Sequence, residues 1–364
     1  MKNKSILFIA DKRDWAYHNI IKTWAEFLTD FDCYIAFSED YMVNFSKFSL
    51  MELFTSNSIN KIRGKSMYRK IDTSRLFSFP VYKQNPVYEV KNMALVDKNE
   101  FDIQIEMAYY FQYISKLPFL ASTKLVGLYT DSFPHEGPSF DHFKNQNVHH
   151  LNREEFYENY LKNYDGLIVG NINLFNIYNS FTENLVCSNG IYLQNEFKEN
   201  KKVGENNMLT IGWTGNPNRS MKGFKEVIVP AVEELQSAGL KIKLKTKFSG
   251  PYYELLDFYT DVDLVVIASE ADTGPSLFAE ASLSNVPSIS TKIGFPQAVI
   301  QNGVNGVFSD RNKDDFKKHI TELYKDRQKL KDFSKRIKAD YLSSNDNKIM
   351  AAALLMFLAR KLND

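Results

Sequence analysis

The sequence predicts an α/β protein with two doubly wound parallel sheets that face each other across a cleft. Short apolar, β-branched segments alternate with helix-compatible segments along the chain, as expected of parallel sheets covered by helices. The length of 364 residues suffices for two domains with separate cores. A polar segment rich in Lys, Glu and Asn, residues 195–207, lies near the middle of the chain and is the best linker candidate.

The first half of the chain is predicted to form a domain of about residues 1–195. A helix to about Leu28 follows the first strand, and a helix over Asn171–Ser180 follows the fifth. The predicted strands are Ser5–Ala10, Cys33–Phe37, Asp102–Met107, Lys124–Tyr129, Gly166–Gly170 and a last one ending within Cys187–Ile191.

The second half is predicted to form a domain over residues 205–345, followed by a helix over 346–364. Helices are expected over Lys225–Ser237 and Ser276–Ser284. The predicted strands are Met208–Trp213, Lys241–Lys247, Leu264–Ala268 and Val286–Ser290.

Composition excludes several classes of protein. A net charge of +1 argues against a dedicated nucleic-acid binder. The two cysteines, Cys33 and Cys187, are far apart and indicate neither a disulfide framework nor a metal site, so a reducing compartment is the simplest expectation. No apolar run reaches membrane-spanning length, and the first residues lead directly into a strand, so we expect a cytoplasmic protein. A dinucleotide-dependent dehydrogenase is disfavoured because no G-x-G-x-x-G follows the first strand.

The most informative stretch runs from the Leu264–Ala268 strand into the Ser276–Ser284 helix. The polar turn between them contains Asp272, and Glu280 follows inside the helix, eight positions later. Pro275 is well placed at the first helical position. The unpaired amides and positive dipole end of such a helix suit a phosphate or sugar hydroxyls. The alternative is an ordinary turn with two solvated acids.

This stretch resembles the E-x7-E signature of the retaining GT-B glycosyltransferases of family 4. Glu280-Ala281 and Val286-Pro287-Ser288 lie where that pattern places them. Two departures are Asp272, one methylene shorter than the usual Glu, and Asn285 in place of a Gly. The resemblance implies the GT-B fold, with the last helix crossing back over the first domain.

A second motif follows the Met208–Trp213 strand. A strand, a polar loop with basic residues and a helix can provide backbone amides and a cation to a diphosphate. The loop resembles the family's Gly-Arg…Lys-Gly motif: Gly215 matches its start and Lys222-Gly223 its end, but the loop is one residue longer. Asn216 replaces the Arg, for which Arg219 is a substitute from inside the loop. A lysine at a helix start is disfavoured by the dipole, which favours a functional role for Lys222.

The resemblance implies roles for these residues. Glu280 would hold the ribose hydroxyls, Asp272 would hold hydroxyls of the donor sugar, and Lys222 with Arg219 would neutralise the departing diphosphate. The donor-binding residues are then Gly215, Asn216, Arg219, Lys222, Thr273, Gly274, Pro275, Ser276 and Glu280. Such enzymes need no metal and no cofactor, and the donor is a substrate, with UDP-sugars the most prevalent. The Asp261-Val-Asp263 sequence immediately precedes the Leu264 strand, where the family usually has a structural Asp, so it is interpreted as structural and not as a metal motif.

The first domain offers fewer assignments. In the family a His-Asp pair at one strand end faces the donor sugar, and here Thr130 occupies the His position and Asp131 the Asp position. His135 lies four residues after Asp131, so the role is open among these three residues, and Asp131 and His135 are the catalytic candidates.

The acceptor side of the first domain also departs from the family. The Gly-Gly turn that follows the first strand in most members is absent, so side chains such as Asp14, Trp15 and His18 are expected to contact the acceptor. Packing at the helix start is an equally good interpretation of Trp15. The acceptor would be a glycan, a lipid-linked molecule or a protein.

Five of the ten residues in Lys61–Lys70 are basic. Such a run usually marks a solvated face. Because its cations alternate with apolar residues, it also suits peripheral docking on the inner face of the cell membrane.

The function predicted by this resemblance is transfer of a hexosyl or N-acetylhexosaminyl group, with retention, to an acceptor hydroxyl in bacterial surface glycan or glycoprotein synthesis. The alternative is a degenerate, non-catalytic GT-B partner that binds acceptor or supports an active transferase. The substitutions at Asp272, Asn216 and Thr130 keep this alternative open, whereas the presence of Glu280 and Lys222 in register favours the enzyme.

Overall fold

A computed structural model shows two parallel sheets flanked by helices. It describes residues 4–38, 68–70, 87–90, 99–109, 120–129, 153–270 and 272–363. The first sheet has eight described strands and the second has five, as predicted for two doubly wound domains.

The first sheet has the order β3-β4-β2-β1-β5-β6-β7-β8, and its neighbours are parallel apart from the β3–β4 pair. The central strand β1 is buried on both faces after its first residue and is apolar from Ile6 to Ala10, as expected between two layers of helices. The strands are β1 Lys4–Ala10, β2 Phe31–Phe37, β3 Tyr68–Lys70, β4 Val87–Val90, β5 Phe101–Glu106, β6 Ala121–Leu128, β7 Gly166–Val169 and β8 Leu185–Cys187.

The second sheet has the order β10-β9-β11-β12-β13 and is parallel throughout. Its strands are β9 Leu209–Thr214, β10 Ile242–Lys247, β11 Leu264–Ile267, β12 Ser288–Ser290 and β13 Val307–Phe308. The α-helices of the described chain are α1 Ala16–Ala25, α2 Arg153–Phe156, α3 Ile172–Tyr178, α4 Val229–Ser237, α5 Leu255–Phe258, α6 Ser276–Leu283, α7 Gly294–Val299, α8 Lys313–Lys325, α9 Arg327–Asn345 and α10 Asn347–Asn363.

Two predicted helix starts are wrong, whereas strand β8 ends within the predicted interval. The helix predicted from Lys225 begins with a π-helical turn, Phe224–Ile228, because Pro230 has no N–H to continue a regular α-helical ladder through this region. Pro275 immediately precedes α6 instead of being its first residue. Strand β8 ends at Cys187, and the next residues turn toward α10, where the Ile191 amide donates to Asn347 Oδ1 at 3.0 Å.

The segment between the two sheets is packed against the protein. Phe197 and Val203 are buried in the core of the second domain, although the composition of residues 195–207 is that of a linker. Helix α10 also links the two halves of the chain. Its residues Leu354, Phe357 and Leu358 are buried with the core of the first sheet, so the two halves of the chain are joined at two places.

The candidate site lies at one edge of the second sheet. Strand β9 pairs with β10 on one side and with β11 on the other, all in parallel. The loops after these three strands therefore meet at the carboxyl edge, which is where ligands bind in open α/β sheets.

Candidate functional site

A cavity of about 330 Å³ opens at the carboxyl edge of the second sheet. Most residues predicted to bind the donor line it: Gly215, Asn216, Arg219, Lys222, Pro275, Ser276 and Glu280. Asp272 reaches the same place through its contact with Lys222. Thr273 and Gly274 lie behind this wall, in the turn that leads to α6.

The loop after β9 needs glycine at both of its ends. Gly215 has φ of +136° and Gly223 has φ of +65°, values that favour glycine. A Cβ atom on Gly223 would also lie 2.5 Å from the carbonyl oxygen of Ala268. Residues Ser220–Lys222 form a 3₁₀ turn just before Gly223, so Lys222 is the last residue of that turn and lies outside the following helix.

The residues that follow strand β11 and a distant arginine hold this loop in place. The Glu270 amide donates to the carbonyl of Met221 at 2.8 Å. Arg311 donates from Nε to the carbonyl of Ala268 at 3.0 Å and from its guanidinium Nη2 to the carbonyl of Ser220 at 2.9 Å. Sequence reasoning missed Arg311; its position just after the last strand, at the same sheet edge, was the available signal.

Lys222 and Asp272 form an ion pair at the mouth of the cavity. They come from different loops, and the two side chains are 22% and 16% exposed, so the pair remains accessible from the cleft. The structure thus brings together the two residues for which the sequence predicts adjacent roles, one on the phosphates and one on the sugar.

Glu280 also lines the cavity and is buried. The Tyr259 hydroxyl donates to Glu280 Oε2 at 2.7 Å, and Tyr252 provides a second hydrogen bond. Burial raises the pKa of Glu280 to about 7, and the two tyrosine hydrogen bonds oppose that rise only in part. Sequence reasoning missed both tyrosines because no local motif marks them.

Helix α6 begins at the cavity wall. No side chain of the described residues caps its first turn, and that turn contains no acidic residue. The amides at Ser276 and Leu277 therefore offer a positive helix end to an anion. The turn before it is tight, because a Cβ atom on Gly274 would lie 2.5 Å from the Phe295 ring.

Aromatic side chains form part of the cavity wall. Phe248 follows β10, and its exposed ring packs edge-on against Trp213 and Phe224, with centroids 6.1 Å and 5.4 Å away. The cavity therefore joins an apolar platform, a buried carboxylate and a cation within one volume.

The residues predicted to be functional in the first domain have different outcomes. Thr130, Asp131 and His135 lie outside the described residues, as does Lys61–Lys70 apart from strand β3. Trp15 is exposed, with Lys12 Nζ 4.6 Å from its ring centroid.

His18 is only 4% exposed, and its Nδ1 accepts a hydrogen bond from the Asp14 amide at 2.8 Å. Burial lowers its pKa to about 3, assisted by the nearby charge of Lys22. Asp14 itself has φ of +58°, so this loop adopts a strained turn that would suit glycine. The expected acceptor contacts of Asp14 and Trp15 stay predictions, whereas His18 packs within the domain.

Asp263 has a structural environment. Its two carboxylate oxygens each accept a backbone amide at 2.8 Å, one from Gly204 and one from Thr210. Within the described ranges, no group of three metal-ligating side chains comes together. Among the helices described, none combines the length and apolar character needed to span a bilayer.

Comparison with known proteins identifies the fold. Residues 229–340 match the family model described as "Glycosyl transferases group 1". No curated protein sequence matches the chain. Many solved structures do, including the following three, which cover nearly the whole chain at low identity.

The first is TarM of S. aureus, as a mutant in complex with fondaparinux, alpha-GlcNAc-glycerol and UDP (TM-score 0.63, 13% identity, 99% of this chain and 100% of that one). The second is HepE of Anabaena in complex with UDP-glucose (TM-score 0.60, 14% identity, 98% and 99%). The third is the sucrose-phosphate synthase of Thermosynechococcus elongatus (TM-score 0.63, 9% identity, 99% and 99%). The predicted GT-B fold is confirmed, and the match to the group 1 glycosyl transferase model lies in the second half of the chain.

Proposed function

We propose that this protein is a retaining glycosyltransferase that moves a sugar from a nucleotide diphosphate donor to an acceptor hydroxyl. The observation that carries the proposal is the convergence of Lys222, the uncapped start of α6 and the buried Glu280 on one cavity. A cation and a helix start suit the diphosphate, and a buried carboxylate suits ribose hydroxyls. The group 1 domain and the UDP-bound neighbours support the same class of ligand.

In this proposal the nucleotide lies along the cavity. Its base stacks near Phe248, and its ribose hydroxyls donate to Glu280. Glu280 must be ionised to accept two such bonds, so donor binding pulls its pKa down from about 7.

The leaving diphosphate is stabilised by fixed positive groups. Lys222 and the amides at the start of α6 face the β-phosphate, and Arg219 approaches from the loop. Because these groups supply the positive charge, the proposal includes no metal ion. Lys222 must leave Asp272 to reach the phosphate, which frees Asp272 for the hydroxyls of the donor sugar.

The donor sugar is proposed to be a hexose or an N-acetylhexosamine carried by UDP. The acceptor is proposed to be a glycan, a lipid-linked molecule or a protein in surface glycan or glycoprotein synthesis. These finer proposals rest on the family resemblance and on the ligands named for the neighbouring structures.

A two-stage experiment tests the proposal. Nucleotide sugars are first screened by thermal shift, because a ligand at 100 times its Kd adds about 2.7 kcal/mol to stability. The best donor is then incubated with candidate acceptors, and the anomeric configuration of the product is determined by NMR. A product that keeps the donor's configuration supports the proposal. An inverted product contradicts retention, and nucleotide binding without transfer to any acceptor favours the non-catalytic partner.

A further inference from the structure

One side chain of the first domain donates a hydrogen bond directly to the second domain. The acceptor lies in the turn Asp272–Pro275, which is proposed to contact the donor sugar. Asn171 follows β7, and its Nδ2 donates to the carbonyl oxygen of Thr273 at 2.6 Å. The two residues are 102 positions apart. They are only 2% and 3% exposed, so water competes little for this bond.

The other end of the same amide is used inside the first domain. Asn171 Oδ1 accepts from the Leu174 amide at 2.8 Å and so caps helix α3. This cap fixes the orientation of the side chain and directs its NH₂ group toward the second domain. The NH₂ group of Asn171 is therefore held in place by a hydrogen bond within the first domain.

Thr273 is enclosed on both sides by glycines. A Cβ atom on Gly170 would lie 2.6 Å from Thr273 Cγ2, and one on Gly294 would collide with the Thr273 carbonyl. Gly170 belongs to the first domain and Gly294 to the second, so the turn fits between them only because neither has a side chain.

The Thr273 carbonyl and the Gly274 amide belong to one planar peptide unit, in which C=O and N–H point in opposite directions. A contact that fixes the orientation of the Thr273 carbonyl therefore also fixes the orientation of the Gly274 amide. Asp272 is the residue directly before this unit, and Pro275, just before α6, follows directly after it. A bond from the first domain thus helps to set the orientation of the turn that contains Asp272 and the Gly274 amide.

We infer that Asn171 is a positioning residue for transfer: it binds the Thr273 carbonyl when the two domains close and thereby orients Asp272 and the Gly274 amide toward the donor sugar. This inference rests on the proposed function. It predicts that Asn171 affects the chemical step and leaves nucleotide binding unchanged, because Lys222 and Glu280 lie outside the unit that it holds.

Two substitutions of Asn171 remove its hydrogen bond to Thr273 but keep its cap on helix α3. Asn171→Ser keeps a good N-cap residue, but its hydroxyl is too short to reach Thr273. Asn171→Asp keeps the cap and the size, but it replaces the NH₂ donor by a carboxylate oxygen facing a carbonyl oxygen. We expect kcat to fall about tenfold for Asn171→Ser and further for Asn171→Asp, since repulsion is added to the lost bond. The Kd for UDP should stay within about twofold.

The matched control is Asn312→Ser. Asn312 caps α8 in the same way, by accepting from the Asp315 amide, and lies within the second domain. This variant measures the cost of exchanging an Asn cap for Ser, and its kcat should equal that of the wild type.

The wild type is measured first, by UDP titration and by turnover. If it neither binds UDP nor transfers sugar, the proposed function fails and this inference fails with it. If it is active and Asn171→Ser has a normal kcat, only the inference is overturned. A parallel loss of kcat, UDP affinity and Tm also overturns it, because that pattern marks Asn171 as a structural cap.

Discussion

Each domain pairs a lysine with an aspartate, and the two pairs have opposite environments. In the first domain Lys22 is 5% exposed, lies 3.3 Å from Asp14 and stacks 4.2 Å from the centroid of the Tyr192 ring. Burial lowers its pKa. In the second domain Lys222 is 22% exposed, pairs with Asp272 and lines the cavity. The first lysine is covered by protein, whereas the second can exchange its partner for a ligand.

This difference shows that charge type alone does not mark a site. An amphipathic lysine can bury its stem and charge against an aromatic ring and serve as packing between a helix and the interdomain segment. Lys222 is distinguished by its place after a strand, where three loops meet and the peptide groups of α6 are unpaired.

The largest expected effect is on turnover and comes from replacing Lys222. The same replacement at Lys22 is the comparison. Lys222→Met removes a cation that faces the leaving diphosphate, and losing one such electrostatic contact typically costs about 10²–10³ in kcat. Lys22→Met keeps the contact with Tyr192 through a sulfur–aromatic interaction, so its turnover should stay within about threefold of the wild type. Steady-state kinetics of both variants measures this difference. Equal losses of kcat would contradict the distinction between the two lysines.

A smaller effect is expected from a change of pH, which alters donor affinity through the ionisation of Glu280. Its pKa of about 7 in the free protein lies above the ordinary value of 4.5. The protonated form is therefore favoured by folding, and stability that is present below pH 4.5 is lost as pH rises through about 7. Donor binding needs the ionised form, so donor affinity should rise about tenfold between pH 6 and pH 8.

Glu280→Gln is the control for this pH dependence. It should bind donor about ten- to hundredfold more weakly than the wild type at pH 8, because a charge-assisted bond becomes a neutral one. It should also show no change in affinity between pH 6 and pH 8. The sugar-linked donor is preferred to free UDP as the ligand, because a terminal phosphate titrates near pH 6. A pH dependence that survives in Glu280→Gln contradicts the assignment.

The smallest expected effect per residue concerns the basic stretch Lys61–Lys70. If it docks on anionic lipid, replacing Arg63, Lys65, Arg69 and Lys70 by Gln should weaken liposome binding by about 1 kcal/mol, or about fivefold, per charge. The control replaces four exposed cations of the second domain: Lys318, Lys325, Lys335 and Arg336. Equal sedimentation of both variants with liposomes, or no binding by the wild type at low salt, would show that the stretch is merely solvated.

The sequence predicted the second domain better than the first for a physical reason. Its site is built from short strand–turn–helix units, in which the spacing of Gly215, Lys222, Asp272 and Glu280 already fixes their neighbourhood. Such spacing is local and can be read without a structure.

Contacts between distant segments could not be read in this way. Arg311 reaches the carbonyl of Ser220, Tyr259 reaches Glu280, and Asn171 reaches Thr273, each through tertiary packing. The burial of His18 was equally invisible, because a histidine after a strand can point either way. It depends on α1 packing that the sequence pattern does not specify.

The most direct test of the donor site is isothermal titration of UDP and of the full donor into three variants. Lys222→Ala should weaken both ligands, because its partner is the phosphate. Glu280→Gln should also weaken both, through the ribose, whereas Asp272→Asn should weaken only the full donor or reduce transfer. Wild-type affinities for both ligands in all three variants would contradict the account and place the site elsewhere.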